Sequence, residues 1–268
     1  MPYNAVNGSV VIGDTDMDYI SFGKGDKHLI MIPGLGDGLR TVKGSAVTLA
    51  VMYRLFAKRY KVYVLSRKNS LPEGYTTRKM AGDYKLAMEK LSITKADVMG
   101  VSQGGMIAQY MAIDYPDVVD KLVLAVTLSG PNETVKSVVG SWIEMAKNGD
   151  YAGILADTAE KSYTEKRLKT YRPLLPLLGR IGKPKDFSRV IIQANACLNH
   201  DAYDELHKIK SPTLVIGVRD DKVVGVNSSQ DIAAQIAGSK LIIYDDYGHA
   251  LYDEAKDFNH KIYVFLSL

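Results

Sequence analysis

A single serine, Ser102, stands between glycines in the stretch DVMGVSQGGMIAQYM, residues 97–111. Residues 100–104 fit the pattern G-x-S-x-G, whose small flanking residues let a serine stand on a strained turn without a steric clash. The apolar residues before the serine are typical of a buried strand, and those after it have helical spacing, which is the setting that the pattern requires. Ser102 is therefore a candidate nucleophile, and an ordinary glycine–serine turn is the alternative interpretation.

A base must accompany this serine, because a hydroxyl is a poor nucleophile at neutral pH unless an oriented base takes its proton. Of the five histidines, His249 lies just past the last strand-like run, in the stretch YGHA. The pair His200–Asp201 also has catalytic residue types, but it lies where a helical region rejoins the strand pattern, and we interpret it as structural. His249 is the candidate general base.

Two adjacent carboxylates could orient the base. Asp220 and Asp221 follow the strand-like run TLVIGV. Because ligands of open α/β sheets bind outside the carboxyl ends of the strands, Ser102, His249 and one of these aspartates are expected to converge there. The residues by themselves leave the choice between the two aspartates open.

The elements that would position these residues alternate along the chain. One run, MDYISFG, alternates like a half-buried strand, and six others are short and nearly continuously apolar, as in central strands of a covered parallel sheet. These six are KHLIMIPG, KVYVLS, ADVMGVS, KLVLAVTLSG, PTLVIGVRD and SKLIIYDDYG. Helical spacing is found in the stretches AVTLAVMYRLFAKR, TTRKMAGDYKLAMEKL, GGMIAQYMAIDY, NSSQDIAAQIAG and the C-terminal stretch from Leu251 to Phe265. The pattern predicts an α/β fold with a mostly parallel sheet.

One region interrupts this alternation. Residues 132–199 contain helix-like segments but no strand-like run, which predicts a helical cap inserted between core segments 1–131 and 200–268. From residue 131 to residue 189 there are eleven basic and seven acidic side chains. This excess could attract anionic substrates, although a solvated helix face is the simpler interpretation. Trp142 of this region is expected in the core or in a pocket wall.

Four motifs in this order resemble the α/β-hydrolase superfamily, in its serine-nucleophile branch with a helical cap. They are PGLGDG after an early strand, GVSQGG around Ser102, GVRD after the penultimate strand and YGHA after the last. The resemblance implies a sheet with helices on both faces and an inserted cap. It also implies a triad whose members occur in the chain order Ser, Asp, His.

The resemblance assigns roles residue by residue. Ser102 would be the nucleophile, His249 the general base and Asp220 the orienting acid, because the family's acid usually stands three residues past the glycine, here Gly217. Asp221 remains the alternative. The oxyanion hole would be formed by the backbone N–H groups of Gln103 and Leu35, although the chain has Pro-Gly where the family usually has His-Gly.

Composition excludes several other classes. With 268 residues, 46% hydrophobic and 24% charged, the chain can bury a large core. Its single cysteine, Cys197, allows no internal disulfide and no cysteine metal cluster, and we interpret it as a buried small side chain. There is no signal-peptide pattern or membrane-length apolar run, and a net charge of +4 is too small to indicate nucleic acid. We expect a cytoplasmic protein without cofactor, metal or membrane partner, and its oligomeric state stays open.

The sequence therefore predicts a carboxylesterase-like serine hydrolase that cleaves an ester, lactone or thioester of a small molecule through an acyl-enzyme. The same residues serve acyl transfer, perhydrolysis and carbon–carbon bond hydrolysis in relatives of this fold. A ligand-binding receptor that keeps the fold without catalysis is an alternative from a different class.

Overall fold

The strands form a single sheet, and the carboxyl ends of its parallel strands lie along one edge of that sheet. A computed structural model describes all 268 residues and contains the strands β1 (Val6–Ile12), β2 (Thr15–Phe22), β3 (Lys27–Ile32), β4 (Tyr60–Lys68), β5 (Ala96–Val101), β6 (Val119–Ala125), β7 (Thr213–Val218) and β8 (Lys240–Tyr244). Their order in the sheet is β1-β2-β4-β3-β5-β6-β7-β8. Strands β3 to β8 are parallel, whereas β1 pairs antiparallel with β2, and β2 antiparallel with β4.

Helices cover both faces of this sheet. They are α1 (Ala46–Met52), α2 (Thr77–Lys90), α3 (Gln103–Asp114), α4 (Glu133–Lys147), α5 (Tyr151–Ser162), α6 (Glu165–Tyr171), α7 (Leu175–Leu178), α8 (Ser188–Leu198), α9 (Ser228–Gln235), α10 (Leu251–Glu254) and α11 (Phe258–Ser267). None of them is long and apolar enough to cross a lipid bilayer.

Alternate strand residues pack against different helices. Ile30 of β3 belongs to an apolar core with α2, α3 and α9, whereas its neighbours Leu29 and Met31 belong to a second core with α1 and α11. Successive side chains of a strand point to opposite faces, so a central strand that is apolar throughout contributes to both cores. The prediction of a mostly parallel sheet with helices on both faces is confirmed.

Three elements differ from the sequence-based expectation. Strand β1 was not predicted, because its residues are mostly exposed and it contains Gly8, so it lacks a continuous apolar pattern. The prediction that the next strand is half-buried is wrong: β2 lies between β1 and β4, and most of its residues are buried. The C-terminal stripe is buried as expected, but its helix is interrupted, since residues 255–257 separate α10 from α11.

Between β6 and β7 the chain forms helices α4 to α8 and no strand before a short 3-10 helix, Tyr203–Lys208. Side chains that accept a hydrogen bond from the first turn fix three helix starts: Asn132 caps α4, Asp150 caps α5 and Thr164 caps α6. We call residues 132–199 the helical insertion. Its helices α4 and α5 lie over the edge of the sheet at which Ser102 is found, as described below.

His200, directly after the helical insertion, is buried and hydrogen-bonded on both ring nitrogens. Its Nδ1 lies 2.9 Å from Thr77 Oγ1, and its Nε2 lies 3.2 Å from Gln109 Oε1. The amide oxygen can only accept, so Nε2 carries the proton and the neutral ring accepts from the threonine. Burial lowers the pKa of His200 to about 3. The interpretation of His200 as a structural residue agrees with these contacts.

We expect His200→Gln to weaken the acid sensitivity of folding. In the unfolded chain this histidine becomes protonated below about pH 6.5, whereas in the native state it stays neutral down to about pH 3. The free energy of unfolding therefore decreases as the pH is lowered from about 6.5 to about 3, by about 1.4 kcal/mol per pH unit. Urea denaturation of wild type and variant at pH 7, 5 and 4 measures this slope. The exposed His260 provides the control variant His260→Gln. Equal slopes for wild type and His200→Gln would contradict the prediction.

Candidate active site

Ser102 stands on a strained turn between β5 and α3. Its backbone angles are φ 53° and ψ −121°, and a positive φ is unfavourable for a residue with a side chain. Hydrogen bonds fix this conformation: the Ser102 N–H donates to the Ala125 carbonyl at 2.9 Å, and the Thr127 hydroxyl donates to the Ser102 carbonyl at 2.7 Å. A Cβ at Gly104 would lie 2.0 Å from the Ile32 carbonyl oxygen, so only glycine lets α3 approach β3 this closely.

His249 follows β8 and bridges the serine to a carboxylate. Its Nε2 lies 3.0 Å from Ser102 Oγ, and its Nδ1 lies 3.0 and 2.9 Å from the two carboxylate oxygens of Asp221. The helical insertion supports this loop, because the Ala250 N–H donates to the Ser162 carbonyl at 2.9 Å. A Cβ at Gly248 would lie 2.3 Å from the same carbonyl oxygen. The end of α5 thus packs closely against the backbone on both sides of the histidine.

The prediction that Asp220, rather than Asp221, is the carboxylate that orients His249 is wrong, because the carboxylate in contact with His249 is that of Asp221. Asp221 is 4% exposed, and its Oδ1 accepts from the N–H groups of Val223 and Val224 at 2.9 and 3.0 Å. Asp220 is exposed and makes no contact with His249. The turn after β7 folds back on itself, so the second aspartate points inward and the first points to solvent. Counting residues from Gly217 could not reveal this turn.

The pKa of Asp221 is held below its usual range despite burial. Burial by itself raises this pKa, but the attraction and hydrogen bond of His249 and the two backbone N–H donors outweigh it. Asp221 therefore stays ionised at neutral pH. An ionised carboxylate on Nδ1 fixes the tautomer in which Nε2 is free to accept a proton from Ser102.

The two residues expected to form the oxyanion hole flank the serine. Gln103 is the first residue of α3, and Leu35 is the first residue of a short 3-10 helix, Leu35–Gly38. First-turn N–H groups of helices lack an intrahelical acceptor, so both are available to a ligand. A Cβ at Gly34 would lie 3.4 Å from the Ser102 Cβ, which shows how closely this loop approaches the serine. Their role in binding an oxyanion stays a prediction.

A buried polar network holds the Gln103 side chain and the backbone of Gly34, next to Leu35, and the sequence-based reasoning missed it. Arg67, at the end of β4, donates to Gln103 Oε1 at 2.7 Å and to the Gly34 carbonyl at 3.3 Å. Asp37 accepts from the Arg67 backbone N–H at 3.1 Å. The Gln103 amide nitrogen donates to the Gln193 carbonyl of α8 at 2.6 Å. The sequence signal that could have indicated this network is the charged residue Arg67 at the carboxyl end of a buried strand.

Arg189 joins this network from the helical insertion. Its guanidinium donates to the Asp37 carboxylate at 2.6 Å and to the Arg67 and Lys68 carbonyls at 3.0 Å, and it also donates to the Asp37 carbonyl. Arg67 and Arg189 therefore share one carboxylate. Their other donors are directed at protein oxygens, except the Arg67 Nε, which has no partner. The loop that carries Leu35 is tied to both the sheet and α8.

Comparison with known proteins shows which family this fold belongs to. The family model described as alpha/beta hydrolase fold matches residues 27–256. The chain belongs to the α/β hydrolase family. A curated hydrolase from Pseudomonas sp., named 2-hydroxy-6-oxononadienedioate/2-hydroxy-6-oxononatrienedioate hydrolase, is 24% identical to this hydrolase, and the alignment covers 98% of this chain and 93% of that one.

Solved structures share the fold at low identity. The α/β hydrolase MGS-M2 from a Medee basin deep-sea metagenome library has a TM-score of 0.86 and 20% identity, with 97% of this chain and 98% of that chain covered. The enol-lactonase from Burkholderia xenovorans LB400 has a TM-score of 0.82 and 18% identity, with 97% and 100% covered. These likenesses establish the architecture of this α/β hydrolase.

A cavity of about 370 Å³ opens onto Ser102 and His249. Its lining includes the Leu35 loop from the core and Trp142 and Thr158 from the helical insertion, so Trp142 is a pocket-wall residue. No lysine or arginine lines it. Burial raises the pKa of its two tyrosines, Tyr53 and Tyr252, so both are neutral phenols near pH 7. In this hydrolase the basic excess of the insertion does not reach the cavity at Ser102, which we call the catalytic cavity after its candidate residues.

The remaining candidate residues lie apart from this cavity. Cys197 is buried in an apolar cluster, and burial raises its pKa to about 12, so its reactive thiolate is disfavoured. His200 and Asp201 do not line the cavity and contact the core instead. No group of three or more His, Cys, Asp or Glu side chains in this hydrolase is placed to hold a metal ion.

Proposed function

We propose that this α/β hydrolase is a serine hydrolase that cleaves an ester, lactone or thioester of a small molecule through an acyl-enzyme. One observation carries the proposal: Ser102 Oγ, the His249 ring and the Asp221 carboxylate form a continuous series of contacts of 2.9–3.0 Å. A general base within hydrogen-bond distance of a strained serine is what nucleophilic catalysis requires.

Acylation would begin when Ser102 Oγ attacks the carbonyl carbon and His249 Nε2 takes the hydroxyl proton. The Nδ1–H donates to ionised Asp221 throughout, which stabilises the imidazolium that forms. The developing oxyanion would accept from the N–H groups of Leu35 and Gln103. Each such donor contributes on the order of 3 kcal/mol to transition-state stabilisation. The tetrahedral intermediate then collapses as His249 returns the proton to the leaving oxygen or sulfur.

Deacylation repeats these steps with water. His249 takes a proton from water as the water oxygen attacks the acyl carbon, and the oxyanion again rests on the two backbone donors. Collapse releases the carboxylic acid and returns the proton to Ser102. Every proton is carried by His249, so the reaction requires no group beyond the chain and water.

The Pseudomonas relative is named as a hydrolase of a doubly carboxylated substrate. Hydrolysis of such a compound is therefore a second candidate function. A dicarboxylate in this cavity would place a carboxylate where no lysine or arginine lines the wall. Burial of an unpaired charge is strongly unfavourable. The lining of the cavity therefore favours a neutral acyl compound as the substrate of this chain, and disfavours the dicarboxylate for which the relative is named.

A fluorophosphonate probe tests the proposal without a known substrate. The probe forms a phosphorus–oxygen bond with an activated serine and releases fluoride. We expect stoichiometric labelling at Ser102, located by peptide mass spectrometry, and at least a hundredfold slower labelling in a folded His249→Ala variant. Labelled protein should also lose the ability to hydrolyse 4-nitrophenyl acetate.

Labelling elsewhere, or labelling that is independent of His249, would contradict the proposal. Absence of labelling in the folded protein, together with no hydrolysis of any ester, would favour a non-catalytic ligand-binding protein on the same fold.

A further inference from the structure

A second cavity adjoins the catalytic one. It has a volume of about 160 Å³ and lies between α4, α5, α8 and the loop that carries Leu35. Four residues line both cavities: Leu35, Gly36, Trp142 and Thr158. We call this second space the side cavity. A group bound there would lie directly beside the serine's pocket.

The side cavity is apolar. Ten of its twelve lining residues are hydrophobic, and the only polar side chain among them is that of Thr158. An apolar cavity of about 150 Å³ in another protein stays dry and binds benzene. The side cavity therefore fits a group about the size of a phenyl ring or of a chain of roughly four to six carbons.

No charge in the surroundings favours an anion there. The side cavity has no ionisable side chain in its lining. Two guanidinium groups contact the loop that carries Leu35, and protein oxygens engage both of them. Buried Arg67 pairs with Asp37 and donates to the Gly34 carbonyl. Partly buried Arg189 donates to Asp37 and to the Arg67 carbonyl. An ionised substituent would lose its water without gaining a partner.

The position of His249 determines which half of the substrate, acyl group or leaving group, is directed toward the side cavity. This histidine must reach the leaving oxygen to protonate it, so the leaving group lies on the His249 side of the scissile bond. His249 lines the catalytic cavity but not the side cavity, which lies along the Leu35 loop instead. The acyl half of the substrate is the part directed toward the side cavity.

Trp142 lines both cavities and is held in place. Its indole Nε1 donates to Asp157 Oδ2 at 2.6 Å, and Asp157 also pairs with Lys161 on the same helix, α5. The indole therefore has a fixed orientation in the wall that the two cavities share. Ala194 of α8 lines the side cavity together with Val190 and Ile191.

We infer that the side cavity is the acyl-binding subsite and that it selects an uncharged, apolar acyl group of about the size of hexanoyl or benzoyl. The inference rests on the proposed serine-hydrolase function and names its substrate class. It predicts that acyl size and charge, more than the leaving group, determine the efficiency of hydrolysis.

The test compares 4-nitrophenyl esters of acetate, hexanoate and benzoate with the half-ester of hexanedioate, whose acyl group ends in a carboxylate. We expect wild-type kcat/KM for hexanoate and benzoate to exceed that for acetate and for the half-ester by at least about tenfold. Ala194→Phe, which fills the side cavity, should lower the hexanoate-to-acetate ratio by about tenfold or more. The exposed neighbour Asn195 gives the control variant Asn195→Phe, whose ratio should match wild type.

A ratio that Ala194→Phe leaves unchanged, or a half-ester cleaved as well as hexanoate, would overturn the inference while leaving the serine-hydrolase proposal intact. If Ala194→Phe does not fold, Ile154→Ala enlarges the same cavity and should move the preference to longer acyl groups. If no ester is cleaved at all, the proposed function fails, and binding decides the inference separately. Hexanamide should then raise the melting temperature of Ser102→Ala, and Ala194→Phe should abolish that shift.

Discussion

Ser102→Ala is expected to lower kcat/KM for 4-nitrophenyl esters by about 10⁴-fold or more, because removal of a nucleophilic serine leaves only the binding and oxyanion contributions to rate. The fold should be preserved. The serine side chain is small, and its Oγ hydrogen-bonds only to His249. The Ser102 backbone groups that bond to Ala125 and Thr127 remain unchanged in the variant. Steady-state kinetics and thermal denaturation, measured on the same preparation, check the two halves of this prediction.

Ser129→Ala is the matched control for this substitution. Ser129 is also buried and lies just past the end of β6, but it does not line the catalytic cavity. Its variant should hydrolyse esters within about twofold of wild type. Retention of more than a tenth of wild-type activity by a folded Ser102→Ala protein would exclude the proposed nucleophile.

The adjacent aspartates Asp220 and Asp221 should respond in opposite ways to the same change. Asp221→Asn is expected to lower kcat by roughly 10⁴-fold, because an amide on Nδ1 favours the tautomer in which Nε2 already carries a proton and cannot accept one from Ser102. Asp220→Asn should leave kcat within about twofold, since exposed side chains without such contacts seldom affect catalysis. KM should change little in either variant.

This pair is an internal control, because both variants make the same chemical change at neighbouring positions. Circular dichroism and urea denaturation should accompany the kinetics, since Asp221 also accepts the N–H groups of Val223 and Val224 and its loss could weaken the turn. The amide oxygen of asparagine can still accept from them. A large loss of kcat in Asp220→Asn, with little loss in Asp221→Asn, would return the acid role to Asp220.

The elements that carry the site were predictable because their signals are local. A continuous apolar run, a serine between glycines and a helical repeat predicted β5, Ser102 and α3 from adjacent residues. The same reasoning missed β1, whose exposed and partly polar residues resemble a loop until β2 pairs with it. Strand pairing and helix interruption depend on neighbours that a short window of sequence does not contain.

The sequence by itself determined the fold family, the serine on its turn and the histidine after the last strand, because each follows from residue type and from the order of elements. The tertiary structure alone decided that Asp221 rather than Asp220 faces His249, because one turn's backbone geometry sets which side chain points inward. It also brought Arg189 to Asp37 across 152 positions of sequence and formed the side cavity from four separate segments. Contacts between distant segments arise only when helices and strands pack, so no local pattern of residues encodes them.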